Sequence, residues 1–219
     1  MKRYLSIAIL QIFVWSNAAQ AQEFSVFKTM VDFIPSGWQK LSYAEESNLR
    51  ADGTHYAAMV IESTQSSDPS TPRKRALLVF FRSAGTYNLM IRNMEAILVP
   101  GEGGDMVDPF CGIQFDEGML SICVMGGANQ VWKKVFRFQL FGRKFLLVSC
   151  RFDQWDRHTG RGVSNEWDYQ KWVRIHSLIN TEARSTASFE NLARSPFLIN
   201  LINFNIRSFN PERFEYHGD

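Results

Sequence analysis

Several common signatures are missing from this sequence, and each absence excludes a chemistry. Four histidines are scattered through 219 residues, His55, His158, His176 and His217, and no two stand at the i, i+4 spacing that would face a zinc ion from one helix. No G-x-S-x-G occurs, so the nucleophile elbow of the α/β hydrolases is excluded. Gly101-Glu102-Gly103-Gly104 is glycine-rich, but an acid sits inside it and no strand-to-helix context follows, so it reads as a turn and not as a phosphate-cradling loop. Helical periodicity is scarce. A concentrated basic stripe is absent too, and nucleic acid is therefore not an expected partner, because phosphate contacts need clustered Lys and Arg. Arg73-Lys74-Arg75 is short, follows a Pro- and Ser-rich stretch, and reads as a solvated loop edge.

What is present begins with an export signal. Lys2 and Arg3 precede an apolar run from Tyr4 to Trp15, interrupted only by Ser6 and Gln11, and Ala19-Gln20-Ala21 supplies a small-x-small cleavage site. The run is shorter than the roughly 20 residues that cross a bilayer. Residues 1–21 therefore read as a cleavable signal peptide, and the expectation is an exported protein, periplasmic or secreted, with no membrane span after cleavage. The chain holds 24 Lys and Arg against 22 Asp and Glu, and loss of Lys2 and Arg3 with the signal brings the balance to 22 against 22.

Export would place Cys111, Cys123 and Cys150 in an oxidising space. Cys111 and Cys123 are symmetric about Glu117, the middle of an Asp116-Glu117-Gly118 turn, so a hairpin could set them opposite each other. Either a cross-strand disulfide or two buried thiols fits that placement. Cys150 has no histidine near it in sequence to activate a thiolate.

Alternation dominates the middle of the chain. Met59 to Glu62 and Ala76 to Phe81 are short apolar runs suited to buried strands, joined by an exposed connection from Ser63 to Lys74. Phe110 to Phe115 and Met119 to Met125 flank the Asp-Glu-Gly turn as a hairpin with a three-residue loop. Trp132, Lys134, Phe136, Phe138 and Leu140 share one face of the next strand, while Lys133, Arg137 and Gln139 share the other. Gly142 turns the chain into Lys144 to Phe152. Asp153 to Val163 then reads as a polar loop, Trp167 to Val173 as a strand, and Ser185 to Arg194 as a short helix before an apolar-studded tail. The expected fold is mainly β, an antiparallel meander forming a sandwich or a strongly twisted sheet with minor helix near the C-terminus. Residues 22–183 make the β domain, and 184–219 a tail packed on the sheet.

Ile34-Pro35-Ser36-Gly37-Trp38, Asn48-Leu49-Arg50-Ala51-Asp52-Gly53, Asp108-Pro109-Phe110, Gly126-Gly127-Ala128-Asn129 with Trp132, and Arg157-His158-Thr159-Gly160 with Ser164-Asn165 occur in an order that resembles a group of exported bacterial proteins of unassigned function. That group carries a short FG-GAP or VCBS-like segment, and the resemblance covers roughly residues 33 to 175. It implies a loop of the D-x-N-x-D-G-x-x-D kind, whose oxygens hold calcium. Carried over, its ligand positions become Asn48, Arg50 and Asp52, with Gly53 at the turn and Tyr56 in place of the last acid. Only Asp52 is a carboxylate and Arg50 brings a cation, so the loop reads as a turn, and no metal or other cofactor is expected.

Two candidate sites remain. Asp153, Asp156 and His158 could transfer protons as a hydrolase, although a polar loop gathers such residues by default. Aromatics are abundant at 14%. Trp132, Trp167 and Trp172 fit core packing in strands, whereas Trp155 lies in the polar loop and, with Arg157 and His158, marks the expected contact surface. The expectation is a non-enzymatic exported protein that binds another macromolecule, such as an immunity protein that neutralises an antibacterial effector. A carbohydrate- or envelope-binding module and a hydrolase using Asp153, Asp156 and His158 are the alternatives.

Overall fold

The structure is a computed structural model that describes residues 29–47, 54–64, 72–106, 108–116, 118–179, 187–192 and 198–211. Residues 1–21, expected to be a signal peptide, lie outside these residues, as do Asn48, Arg50, Asp52 and Gly53 of the calcium-like loop. After a one-turn 3-10 helix at Met30–Phe33 come β1 (Trp38–Glu45), β2 (His55–Ser63), β3 (Arg75–Ser83) and β4 (Thr86–Asn93), an antiparallel sheet in sequential order. Then follow β5 (Phe110–Asp116), β6 (Met119–Gly127), β7 (Gln130–Phe141), β8 (Lys144–Asp156), β9 (Gly162–Asp168), β10 (Val173–Ile179) and β11 (Ser188–Asn191), a seven-stranded antiparallel meander. The two sheets pack as a sandwich.

β2 and β3 are apolar at successive positions because both faces of the small sheet are buried. Ala58, Val60, Leu77 and Val79 face the main core, joined there by Leu120, Ile122, Phe136, Phe138 and Leu147 of the large sheet. Met59, Ile61, Ala76, Leu78 and Phe80 face the other way, beneath Met30, Phe33, Ile34, Trp38 and Tyr87. Phe33 and Phe80 meet with ring centroids 5.1 Å apart. The C-terminal segment packs across the sheets, burying Leu201, Phe204 and Ile206 beside a second short 3-10 helix, Leu201–Asn203.

The local assignments differ from the sequence reading in several places. The β5–β6 connection is two residues long, since Asp116 pairs with Met119. That register sets Gly112 opposite Cys123, and a bulge at Cys111 brings both Cys111 and Gly112 against it. Cys111 and Cys123 are bonded, with Cα atoms 5.2 Å apart. Replacing both cysteines with serine releases a loop spanned by 12 positions, and the expected loss is about 2–3 kcal/mol in urea unfolding, larger than the loss on replacing exposed serines nearby.

The polar stretch after Phe152 continues β8 to Asp156, because its polar residues either face water or find partners, and only residues 157–161 connect to β9. The aromatic alternation from Trp167 to Val173 spans a turn: Asp168 Oδ1 accepts the backbone N–H groups of Gln170 and Lys171, and Trp172 takes φ +56°. Within the stretch expected to be a helix, residues 187–192 are described, and there Ser188–Asn191 pairs with β10 as an exposed edge strand. Strand pairing there overrides local helix preference.

Arg75 is not on a solvated loop edge. It opens β3, is 1% exposed, and gives all five of its N–H groups to acceptors. Nε and Nη2 donate to Glu62 Oε1 at 3.0 and 2.8 Å, Nη1 and Nη2 donate to the two Asp108 oxygens at 2.7 Å each, and Nη1 donates to the Leu98 carbonyl at 2.9 Å. The guanidinium holds the Asp108 carboxyl below the usual aspartate range.

Candidate functional site

Asp153, Asp156 and His158 do not converge. Asp153 lies buried in β8, where its Oδ1 accepts from Ser164 Oγ at 2.6 Å and Arg151 Nε at 2.8 Å. Asp156 stands three positions on, so the period of two turns it to the opposite face. It caps the β8–β9 turn instead: Oδ1 accepts the N–H groups of Thr159 at 2.8 Å and His158 at 3.0 Å, and Oδ2 accepts from Gln130 Nε2 at 3.0 Å. The Thr159 N–H leads the contacts that lower the Asp156 carboxyl below its ordinary value. Trp155 sits half-buried on the strand face opposite Gly162, while Arg157 and His158 are exposed on the turn.

A different set of residues comes together on the inner face of the large sheet. Strand pairing places Phe136, Cys150, Trp167 and Arg174 in one row across β7 to β10, and the first three are buried. The next row holds Lys134, Phe152, Asn165 and His176, and beyond it lie Trp132, Gln154, Val163 and Leu178. In these outer rows the sheet opens: Lys134, Phe152, His176, Trp132 and Val163 are half-buried, Gln154 is exposed and Leu178 is 55% exposed.

Aromatic rings fix the cations here. Lys134 Nζ lies 5.7 Å from the Trp132 ring centre and 5.2 Å from that of Phe152, within the range of cation–π attraction. Arg174 stacks over Trp167 at 5.2 Å and donates from Nη2 to Asn165 Oδ1 at 3.3 Å. The same oxygen contacts His176 Nδ1 at 2.9 Å, and because an amide oxygen only accepts, Nδ1 carries the proton. The Trp132 indole packs against Gly126 of β6, where a Cβ would come within 2.3 Å of its Cζ2 atom, so no larger residue fits beneath it. Cys150 lies one row deeper, and burial pushes its thiol up to about 12, which leaves it protonated and unreactive at neutral pH. The face offers stacking surface and hydrogen-bond donors, with no activated nucleophile.

No protein-family model, curated protein or solved structure matches the chain. The geometry alone carries the functional reading. Among the described residues no group of three or more His, Cys, Asp or Glu could hold a metal ion, and no helix is long and apolar enough to cross a membrane. Tyr56, the last position of the calcium-like loop, packs edge-on against Phe145 at 5.7 Å.

A sign of the open face was present in the sequence, where Lys134 was the one charged residue on the apolar side of its strand. A second cluster had no such sign. Glu45, His55, Arg82 and Tyr87 come from four successive strands and meet only through β1–β4 pairing. Glu45 Oε1 accepts from Tyr87 Oη at 2.7 Å and contacts His55 Nε2, and the Arg82 guanidinium lies 5.4 Å from the Tyr87 ring centre. Burial acting alone would raise the Glu45 carboxyl, but the bonds from Tyr87 and His55 outweigh it and hold it below its ordinary value. Burial, followed by the bond to Glu45, pushes Tyr87 up to about 12.

Both shifts appear as stability. The contribution of the depressed Glu45 is present above the unfolded carboxyl value and lost as pH falls through the folded one. That of the raised Tyr87 is present below pH 10 and lost as pH rises toward about 12. Tm measured against pH is expected to fall at both ends, and Tyr87→Phe is expected to flatten the alkaline fall. An unaltered alkaline limb in that variant would remove Tyr87 as its source.

Proposed function

We propose that this is a non-enzymatic exported protein that binds a protein partner through the open half of its large sheet, as an immunity protein covers the effector it neutralises. The observation that carries this reading is the row of Lys134, Phe152, Asn165 and His176 beside Trp132: aromatic and cationic side chains stand half-exposed on a rigid sheet, fixed by their neighbours. Pre-set aromatic and basic side chains are what protein interfaces use as anchors. The separation of Asp153 from Asp156 and His158 weighs against the hydrolase alternative. Export rests on the N-terminal sequence, and the Cys111–Cys123 bond is compatible with it. A glycan-binding module is the second reading, supported by Trp132 with the exposed amide of Gln154 near it.

Selection of a displayed random-peptide library against the protein, in parallel with a panel of envelope glycans, separates the two. Peptides whose binding drops at least about tenfold in a Trp132→Ala, Phe152→Ala variant of unchanged circular dichroism support the protein-binding face. Retention of glycans but not peptides overturns it in favour of the second reading. Peptide binding indifferent to both substitutions overturns the location.

A further inference from the structure

We propose that the C-terminal segment carries a binding site for one ring of a neutral sugar, in a half-open cavity of about 210 Å³ that shares no residue with the open rows of the large sheet. Ile199, Phe204 and Phe209 supply its apolar lining, and its polar lining includes Asn203, Asn205 and Ser208. Contacts within the fold set this shape. Asn205 Oδ1 accepts the N–H groups of Arg207 at 2.9 Å and Ser208 at 3.2 Å, and the Ile206 N–H donates to the Glu95 carbonyl at 3.0 Å. The Phe209 ring stands edge-on to Phe136 at 5.4 Å. A cavity already held in shape by its own backbone leaves little ordering for a ligand to impose.

The lining selects the ligand. No charged residue lines the cavity, and Arg207, which lies between Asn205 and Ser208 in the chain, commits its guanidinium to Glu95 and Glu102. A phosphate, carboxylate or ammonium would therefore lose hydration there without meeting a counter-charge. A wholly apolar ligand would cover the amides and leave them unpaired. What fits is a neutral molecule with hydroxyls along one edge and C–H groups on a face. Among the described residues the Asn203 carboxamide and the Ser208 hydroxyl have no hydrogen-bond partner in the protein, and the Asn205 amide nitrogen has none while its oxygen is occupied. Carboxamides and hydroxyls both donate and accept, which matches the paired hydroxyls of a sugar ring. The volume falls below the roughly 300–1,000 Å³ of clefts that hold drug-sized ligands, so the cavity takes a single ring.

The test titrates glucose, galactose and N-acetylglucosamine, each to about 50 mM, into the isotope-labelled full mature protein and reads the side-chain amide resonances of Asn203 and Asn205. At least one sugar is expected to shift both. Binding is expected to weaken at least about tenfold in Asn203→Ala and in Ser208→Ala, and to survive in Ser208→Thr, which keeps the hydroxyl. Asn203 and Ser208 are exposed, so these variants are expected to keep the Tm of the parent. Silence toward all three sugars overturns the proposal, as do shifts that persist in both alanine variants. Tighter binding of glucose phosphate, galacturonate or acetyl-alanyl-alaninamide overturns the neutral sugar as occupant. Sugar binding that is lost with Trp132→Ala and kept in Asn203→Ala overturns the location, since it places the sugar in the open rows.

Discussion

Arg75→Met is expected to destabilise the protein by about 3–5 kcal/mol, because it strands a buried carboxylate. Glu62 is 4% exposed, and its remaining partner in the cluster is Arg73, whose Nη1 lies 3.2 Å from Oε2 on a side chain 52% exposed. Taking Arg75 away also leaves the Leu98 carbonyl without the donor that reaches it at 2.9 Å and frees Asp108 from the β3 edge. An intact ion pair in the interior adds little net stability over apolar side chains of similar volume, whereas breaking one by removing a single partner is severe. The double variant Arg75→Met, Glu62→Met is therefore expected to lose less than Arg75→Met alone. Urea unfolding followed by tryptophan fluorescence measures both, and a single-variant loss below about 1 kcal/mol would mean that solvent reaches Glu62.

Phe204→Ala is expected to cost about 3–5 kcal/mol, the range for deleting a fully buried aromatic side chain. The ring is 1% exposed and meets Phe136 and Phe138 with centroids 5.1 Å away in each case and Phe209 at 5.5 Å. The backbone around it is tied to both sheets. Asn93 Nδ2 donates to the Leu201 and Phe204 carbonyls at 2.6 and 2.8 Å, and the Leu147 N–H donates to the Ile199 carbonyl at 2.8 Å. Arg207 adds ion pairs to Glu95 and Glu102. The C-terminal segment is in this sense part of the core, and truncation before residue 198 is expected to lower Tm further than Phe204→Ala does. An Asn93→Asp variant probes the anchoring independently: it replaces two donated hydrogen bonds with a carboxylate facing two carbonyls, and lost stability without lost ring packing would show the anchor's share. A Phe204→Ala protein as stable as the parent would remove the segment from the cooperative unit.

The meander was legible because alternation is a local property. Lys133, Arg137 and Gln139 against Trp132, Phe136 and Phe138 need nothing distant to define two faces, and the doubled apolar runs of β2 and β3 already announce burial on both sides. Errors arose where a local pattern had two structural solutions. Asp153 to Asp156 looked like loop because polar residues collect in loops, yet Ser164 and Arg151 supply Asp153 with partners only when β9 pairs alongside. Arg75 looked like a surface cation because its acceptors sit 13, 23 and 33 positions away. Ser188–Asn191 became a strand because an unpaired β10 edge was available to it.

By itself, then, the amino-acid order determined the class of fold, the hairpin that carries Cys111 and Cys123, and the two-faced character of each central strand, since these follow from steric periodicity and hydrophobic burial over a few residues. Tertiary structure decided which polar residues meet. Lys134 between Trp132 and Phe152, the Asn165 oxygen between Arg174 and His176, and Glu45 between His55 and Tyr87 all depend on register between strands, and register is set by packing of the whole sheet. Partner binding by an exported protein stands as a proposal, and the face proposed for it is the open rows around Lys134, where the sequence alone pointed to Trp155, Arg157 and His158. Only the sandwich determines which rows a second layer covers and which it leaves open.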